Sequence, residues 1–412
     1  MSAKICLGVG FAAVISLSAC AGDWSEFRGP TAQGVYDGKP LPTQWAPDKN
    51  IVWQTPIDGL GWSSPAIVGG KIYLTTAVPK DNDYSLRAIC LDTASGKALW
   101  DEEIFQETAT YSPRVHSKNS HASPSPIVHA GRIYVHFGHQ GTACLDLNGK
   151  AIWKNRELKY PPVHGNGGSP VLVDDRLIFS CDGASNPFVA ALSAADGKLL
   201  WKTPRSWDST KKFAFATPLA IEVSGKTQVV LPGAGGVAAY DPKSGQEIWK
   251  VTYDGYSVIP RPVYGFGMVF LSSGFDSPTL LAIRVDGTGD ITDTHVAWRM
   301  KKGAPLSASP LLVGNELYVV SDNGLASCLD AKTGKVHWQE RVPGGYSASP
   351  LFANGHVYFE NEKGVVTVVK AGTKFETVAK NTIPERTLSS LAAADGALYL
   401  RTDKALYRIE NK

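Results

Sequence analysis

A chain of 412 residues is long enough for two or three ordinary domains, but all-β architectures of this size often form one unit, so length leaves the domain count open. Its 41 Gly, 26 Pro and 11 Trp, with 43% hydrophobic and 19% charged residues, suit many short strands joined by tight turns and exclude a helical bundle or a disordered chain. A formal net charge of +3, with no cluster of Lys and Arg interleaved with aromatics, argues against nucleic acid as a partner.

At the start of the chain Lys4 precedes an apolar run from Ile5 to Leu17 that ends in small residues, the pattern of a secretory signal, and the run is too short to span a bilayer. Leu17-Ser18-Ala19-Cys20 resembles a lipobox, which makes Cys20 the candidate lipidated residue, although Ala19-Cys20-Ala21 also offers ordinary cleavage. Residues 1–20 are therefore expected to be a signal peptide, and the protein to be exported, periplasmic or held at the outer membrane. No later segment is long and apolar enough to cross a membrane, so contact with one is expected only through a lipid anchor. Residues 21–48, including Trp24-Ser25-Glu26-Phe27-Arg28-Gly29-Pro30, carry no repeat pattern and are expected to strap across the outside of a domain formed by 49–412.

That domain is an internal repeat, and a period of about 40–50 residues signals a solenoid or propeller. One signature is Ser/Thr-Pro, apolar residues, a turn, and an aromatic or aliphatic residue eight positions after the Pro: Pro65 with Tyr73, Pro126 with Tyr134, Pro170 with Ile178, Pro262 with Phe270, Pro310 with Tyr318 and Pro350 with Tyr358. Pro218 opens a copy with a longer turn, and Leu391 with Tyr399 keeps the spacing without the Pro, making eight copies. The alternating signature is a small apolar stretch, Asp, Gly and Trp: Asp92, Gly96 and Trp100; Asp146, Gly149 and Trp153; Asp241, Gly245 and Trp249; Asp330, Gly334 and Trp338. Ser193 replaces the Asp before Gly197 and Trp201, a stretched copy ends at Trp298, and a decayed one runs from Val368 to Phe375.

Each pair of signatures makes a four-stranded antiparallel meander. Asp can bond the turn amides, Gly supplies the positive φ, and Trp buries a large ring between neighbouring sheets. Trp53 lies in an outer strand with no meander before it, while 391–409 supplies three strands with no Trp strand after them. The expected fold is all-β: an eight-bladed β-propeller in which the N-terminal strand completes the last blade and removes free edges. Cys90, Cys144 and Cys328 occupy equivalent positions of different blades, too far apart to bridge, so they and Cys181 are expected to be buried thiols.

The Asp…Gly…Trp unit, clearest from Ala326 to Trp338, resembles the repeat of the pyrroloquinoline-quinone (PQQ-like) β-propeller family, over most of the mature chain. Within it the chain looks closest to BamB-like exported propellers without assigned catalysis, which implies a non-catalytic binding or scaffolding role for a protein or polysaccharide partner of the envelope, as a monomer without cofactor. The family's quinoprotein alcohol and sugar dehydrogenases are the alternative, and for them the resemblance implies PQQ with calcium, adjacent bridged cysteines, and Glu, Asn and Asp around the metal. This chain has no Cys-Cys pair, and the calcium set cannot be placed on it residue by residue. No catalytic residue is assigned.

In a propeller, the loops entering each inner strand and those joining the second and third strands share one face around the channel mouth, where ligand sites cluster. The candidates there are His116, Asn119, His121, His139, His164, Asn166, Asp182 and Arg261, with Glu360 on the same rim and Trp62 as a stacking platform or a packing ring. His116, His121, His139 and His164 could converge on a metal or polar ligand, although none shows a recognised ligand spacing; the alternative is that they bond loop backbone. Asp286, Asp290 and Asp293 in the stretched hairpin could bind calcium but lack the full spacing of a calcium loop, and a solvated turn is the reading preferred. Gly233-Ala234-Gly235-Gly236 leads into a strand, not a helix, and so is no dinucleotide site.

Overall fold

The computed structural model describes residues 22–108 and 115–412. The segment read as a signal, residues 1–20 with Cys20, lies outside the described residues. The described chain forms eight sheets, each built on a meander of four antiparallel strands, two of them with a short fifth strand added in parallel. We number the blades in chain order: 66–108, 127–155, 171–204, 219–252, 263–300, 311–341, 351–382 and 392–410. The last has three strands of its own, and Ile51–Pro56 supplies the fourth, pairing antiparallel with Ala405–Glu410 so that Gln54 faces Tyr407. The ring is thereby sealed head to tail, and the inner strands of blades 8 and 1 lie against each other.

The sequence periodicity explains why the blades stack. Apolar side chains on both faces of the middle strands meet those of the next sheet: Ala66, Tyr73 and Cys90 of blade 1 pack with Val128, Ile133 and Leu145 of blade 2. Each outer-strand Trp then reaches over its neighbour. The indole N–H groups of Trp53, Trp100, Trp153, Trp201, Trp298 and Trp338 donate to Thr93, Leu147, Ala194, Pro242, Ala331 and Gly372 carbonyls of the following blade at 2.9–3.0 Å. Gly334 shows what the turn glycine does: its φ is +72°, and a Cβ there would stand 2.7 Å from the Trp298 ring of the preceding blade. Asp330 fixes that turn by accepting from the Thr333 amide and hydroxyl, which holds its carboxyl below the usual range. The stretched hairpin of blade 5 breaks the series. Its Gly289–Asp290 pairs parallel with the outer strand of blade 4, and the fully buried Trp249 bonds Gln228 instead.

All four described cysteines are free and buried. Burial pushes the Cys90 and Cys144 thiols up to about 11 and Cys328 up to about 12.

Of the N-terminal segment expected to strap the outside, residues 23–36 instead fill the axis. The Asp23 carboxylate accepts from the Gly69 amide in the first turn of blade 1, and Trp24 pairs with Ile67 of that blade's inner strand. Ser25 then accepts from Val128 of blade 2, the Gln33 side chain from Tyr264 of blade 5, and Val35–Tyr36 pairs parallel with Leu351–Ala353 of blade 7. The inner strands of a propeller leave an edge unpaired along the channel, and a segment with free backbone groups can pair with several of them at once. Leu41 and Trp45 next lean on Asn354 and Asn381 of blade 7 before the chain joins blade 8.

Candidate functional site

The axial plug turns a channel into a cup. On the face formed by the loops that enter the inner strands lies a cavity of about 700 Å³, with Phe27 of the plug among its lining residues. Just before each inner strand, Ser64, Ser125, Ser169, Thr217, Ser309, Ser349 and Ser390 form a hydroxyl crown around it. The amides of Ser64, Ser125 and Ser169 each donate to the hydroxyl oxygen of the next blade at 2.9–3.0 Å. The amides of Arg261, Ser309, Ser349 and Ser390 continue round to Ser64 at 2.9–3.2 Å. The Ser/Thr-Pro signature is thus a circumferential bond between blades; Pro has no N–H, which leaves the residue before it to make the link.

Blade 5 breaks the crown because Arg261 stands where the others carry a hydroxyl. Expected at the rim, Arg261 is instead fully buried beneath it. Its guanidinium donates to Pro218 O (2.9 Å), Phe27 O (2.6 Å) and the Glu26 carboxylate (3.1 Å), locking the plug. Burial raises the Glu26 carboxyl despite the arginine beside it, and lowers Arg261. The neighbouring Arg28 is also buried and has no carboxylate of its own, which brings its guanidinium down to about 9.

One side of the cup is aromatic. Phe213 packs on Phe215 at 6.0 Å and on Tyr256 at 5.4 Å, and Tyr256 on Phe275 at 5.8 Å between ring centroids. Trp62 also lines the cup, with the Arg386 guanidinium 5.5 Å from its ring. Charges at the mouth are mostly spent. Lys118 sits 2.7 Å from Glu362 and 3.6 Å from Asp322, and Lys211 donates to the Tyr256 hydroxyl at 2.6 Å.

Of the sequence candidates, His116, Asn119, His164 and Trp62 line the cup. The His116 and His164 rings stand 5.5 Å apart, and the His116 amide donates to the His164 carbonyl. The other two imidazoles do not join them. His121 is buried against Tyr84, bonded to Gln140, and His139 is bonded to Asn166 at 2.9 Å. Asn166 also accepts from the Tyr160 hydroxyl. Burial lowers His121, and lowers His139 to about 4, so both are neutral at physiological pH. Asp182 forms a buried pair with Arg205 at 2.7 Å. Glu360 is buried rather than on the rim, and burial lifts its carboxyl well above the usual range.

Among the described residues no three His, Cys, Asp or Glu side chains gather as metal ligands. Calcium takes six to eight oxygens, usually with several carboxylates. The cup is lined by one carboxylate, Asp322, whose oxygens already accept from the Leu306 amide and the Ser307 amide and hydroxyl. The residues present do not fit a quinone-calcium centre. Sequence reasoning missed the hydroxyl crown and the aromatic wall as site features. The crown was visible only as a structural repeat, and the wall had as its signal Phe213-Ala214-Phe215 in an unpatterned stretch before Pro218.

Fold and site together define an eight-bladed propeller of PQQ-like repeats. The chain belongs to the family described as outer membrane protein assembly factor BamB, whose model matches residues 34–180, 161–258, 185–292 and 288–402. It is 23% identical over 237 residues to BamB of Shewanella oneidensis, covering 53% of this chain and 56% of that protein. It is also 27% identical over 214 residues to the quinohemoprotein alcohol dehydrogenase ADH IIB of Pseudomonas putida, covering 48% of this chain and 29% of that one. The chain thus matches 56% and 29% of the length of these curated relatives. The crystal structure of BamB from Moraxella catarrhalis is similar in fold, with a TM-score of 0.63 at 12% identity over 88% of this chain and 97% of that one.

Proposed function

We propose that the protein is a non-catalytic binding or scaffolding propeller of the cell envelope, presenting its open mouth face to a protein or polysaccharide partner and working without a cofactor. The observation that carries this reading is the cup: a concavity stopped at its inner end by the plug, whose lining offers hydroxyls and aromatic rings, while its one carboxylate is already engaged. Membership in the BamB family supports an envelope role. The signal-like start and Cys20 support export and a lipid anchor. Gly22 and Asp23 sit against Asp395 and Gly69, in the first turns of blades 8 and 1. These turns lie opposite the mouth, so an anchor at Cys20 would hold the turn face toward the membrane and the cup away from it.

Affinity capture with the full chain from solubilised envelopes tests the reading. A reproducible partner that is lost when the mouth face is substituted supports it, and no partner of any kind removes it. Reduction of a dye by the chain reconstituted with PQQ, calcium and alcohols or aldoses would replace it with quinoprotein catalysis.

A further inference from the structure

We infer that the cup binds the terminus of a neutral glycan, an inference that rests on the partner-binding reading above and gives it a chemical class. The crown supplies the first argument. Each of its seven hydroxyl oxygens accepts a backbone amide from the blade before, Ser309 taking it from Arg261. Among the described residues none of the seven donates its own proton to a protein acceptor, and all seven line the cavity. A purely apolar ligand would strip water from these donors and leave them unpaired, at about 1–3 kcal/mol each. The occupant must therefore bring acceptors on several sides.

The remaining walls narrow the class. Phe213, Phe215, Tyr256 and Phe275 line one flank with their rings tilted or edge to face, Lys211 over Tyr256 and Phe275 half exposed, and Trp62, beneath Arg386, adds another ring. Such faces suit the C–H surface of a sugar ring, apolar on its flat side and hydroxylated at its edge. Charge argues against an ionic ligand, because Asp322 is saturated, Lys118 is paired with two carboxylates, and Lys211 is held on Tyr256. A peptide offers one C=O and one N–H per residue along a line, whereas a sugar ring carries hydroxyls all round its edge, closer to the circular order of the crown. Sugar hydroxyls accept and donate, matching what the crown leaves unused.

The plug sets the geometry. Phe27, fixed by Arg261, lies in the wall of the cup, and the segment 23–36 occupies the axis beyond it. A polysaccharide therefore cannot thread the ring; a chain end or a short oligosaccharide enters from the mouth. A cavity of about 700 Å³ falls within the range of about 300–1,000 Å³ typical of small-molecule pockets.

The test is an array of neutral oligosaccharides built from glucose, galactose, mannose and N-acetylglucosamine units, tethered by the reducing end, with hits titrated in solution by calorimetry. The full chain is expected to bind at least one of them saturably. Phe275→Ala, at an exposed ring, and Thr217→Val, which removes one crown hydroxyl, are each expected to weaken binding at least fivefold, while Leu200→Ala on the blade perimeter leaves it unchanged. A short hit is expected to compete fully with the polymer bearing the same end. Absence of binding across the array, or affinities indifferent to both cup variants, overturns the inference. Capture of peptides from a display library that depends on Phe275 overturns the glycan class but leaves the partner-binding reading standing, so the two failures are distinguishable.

Discussion

Substituting Arg261 with Ser probes the plug, the crown and the cup together. In the parent, one guanidinium makes three bonds of 2.6–3.1 Å, two of them to the plug, and neutralises the partly buried Glu26. Removing one member of a buried ion pair costs about 3–5 kcal/mol. Two effects soften the loss: Glu26, whose carboxyl is already raised, can take up a proton, and a serine at this position restores the hydroxyl missing from the crown, which a neutral hydrogen bond makes worth about 1 kcal/mol. The expected net cost is about 2–4 kcal/mol, placed on release of the plug rather than on the blades, or about 30- to 1,000-fold in its opening equilibrium. Arg28 is buried within the plug, so trypsin cleavage after Arg28, followed by mass spectrometry, reports that opening directly. Glu26→Gln is expected to act in the same direction, and the double variant to cost less than the sum of the two. Cleavage at Arg28 within threefold of the parent in R261S would refute the assignment of Arg261 as the lock.

Three further outcomes follow from the packing and the buried groups. Gly334→Ala is expected to lower stability by about 2–4 kcal/mol in urea unfolding, from its positive φ and the clash with Trp298, whereas Gly69→Ala, with a φ of +58° and nothing within 4 Å, loses only the backbone part; equal losses would remove the Trp clamp. Glu360 keeps a proton in the folded chain that the unfolded chain releases above about pH 4.3. Its contribution is therefore full below that pH and falls as pH rises, by up to about 1.4 kcal/mol per unit, until the folded carboxyl ionises. Glu360→Gln is expected to flatten that decline and to exceed the parent in urea midpoint at pH 8, and parallel pH profiles would contradict a neutral buried carboxyl. Cys90, Cys144, Cys181 and Cys328, with thiols raised by burial, are expected to resist iodoacetamide at pH 8 in the native chain and to react together on unfolding, as peptide mass mapping will show.

The blades, their number, the head-to-tail closure and the isolation of the thiols were legible in the sequence because each is written once per repeat. Strand pairing within a blade joins residues a few tens of positions apart, the Asp fixes its own turn, and the Gly and Trp of one copy act on the copy beside it. The cup was legible only in part. His116, Asn119, His164 and Trp62 line the cup, but His121 and His139 turn into buried contacts that only the packing of Tyr84, Gln140 and Asn166 specifies. The plug was not legible at all, since residues 23–36 carry no repeat, and their decisive bond, Arg261 to Glu26, spans 235 positions. A segment without periodicity takes its place from the unpaired inner edges and the single buried arginine it meets, and these exist as neighbours only after the ring has closed.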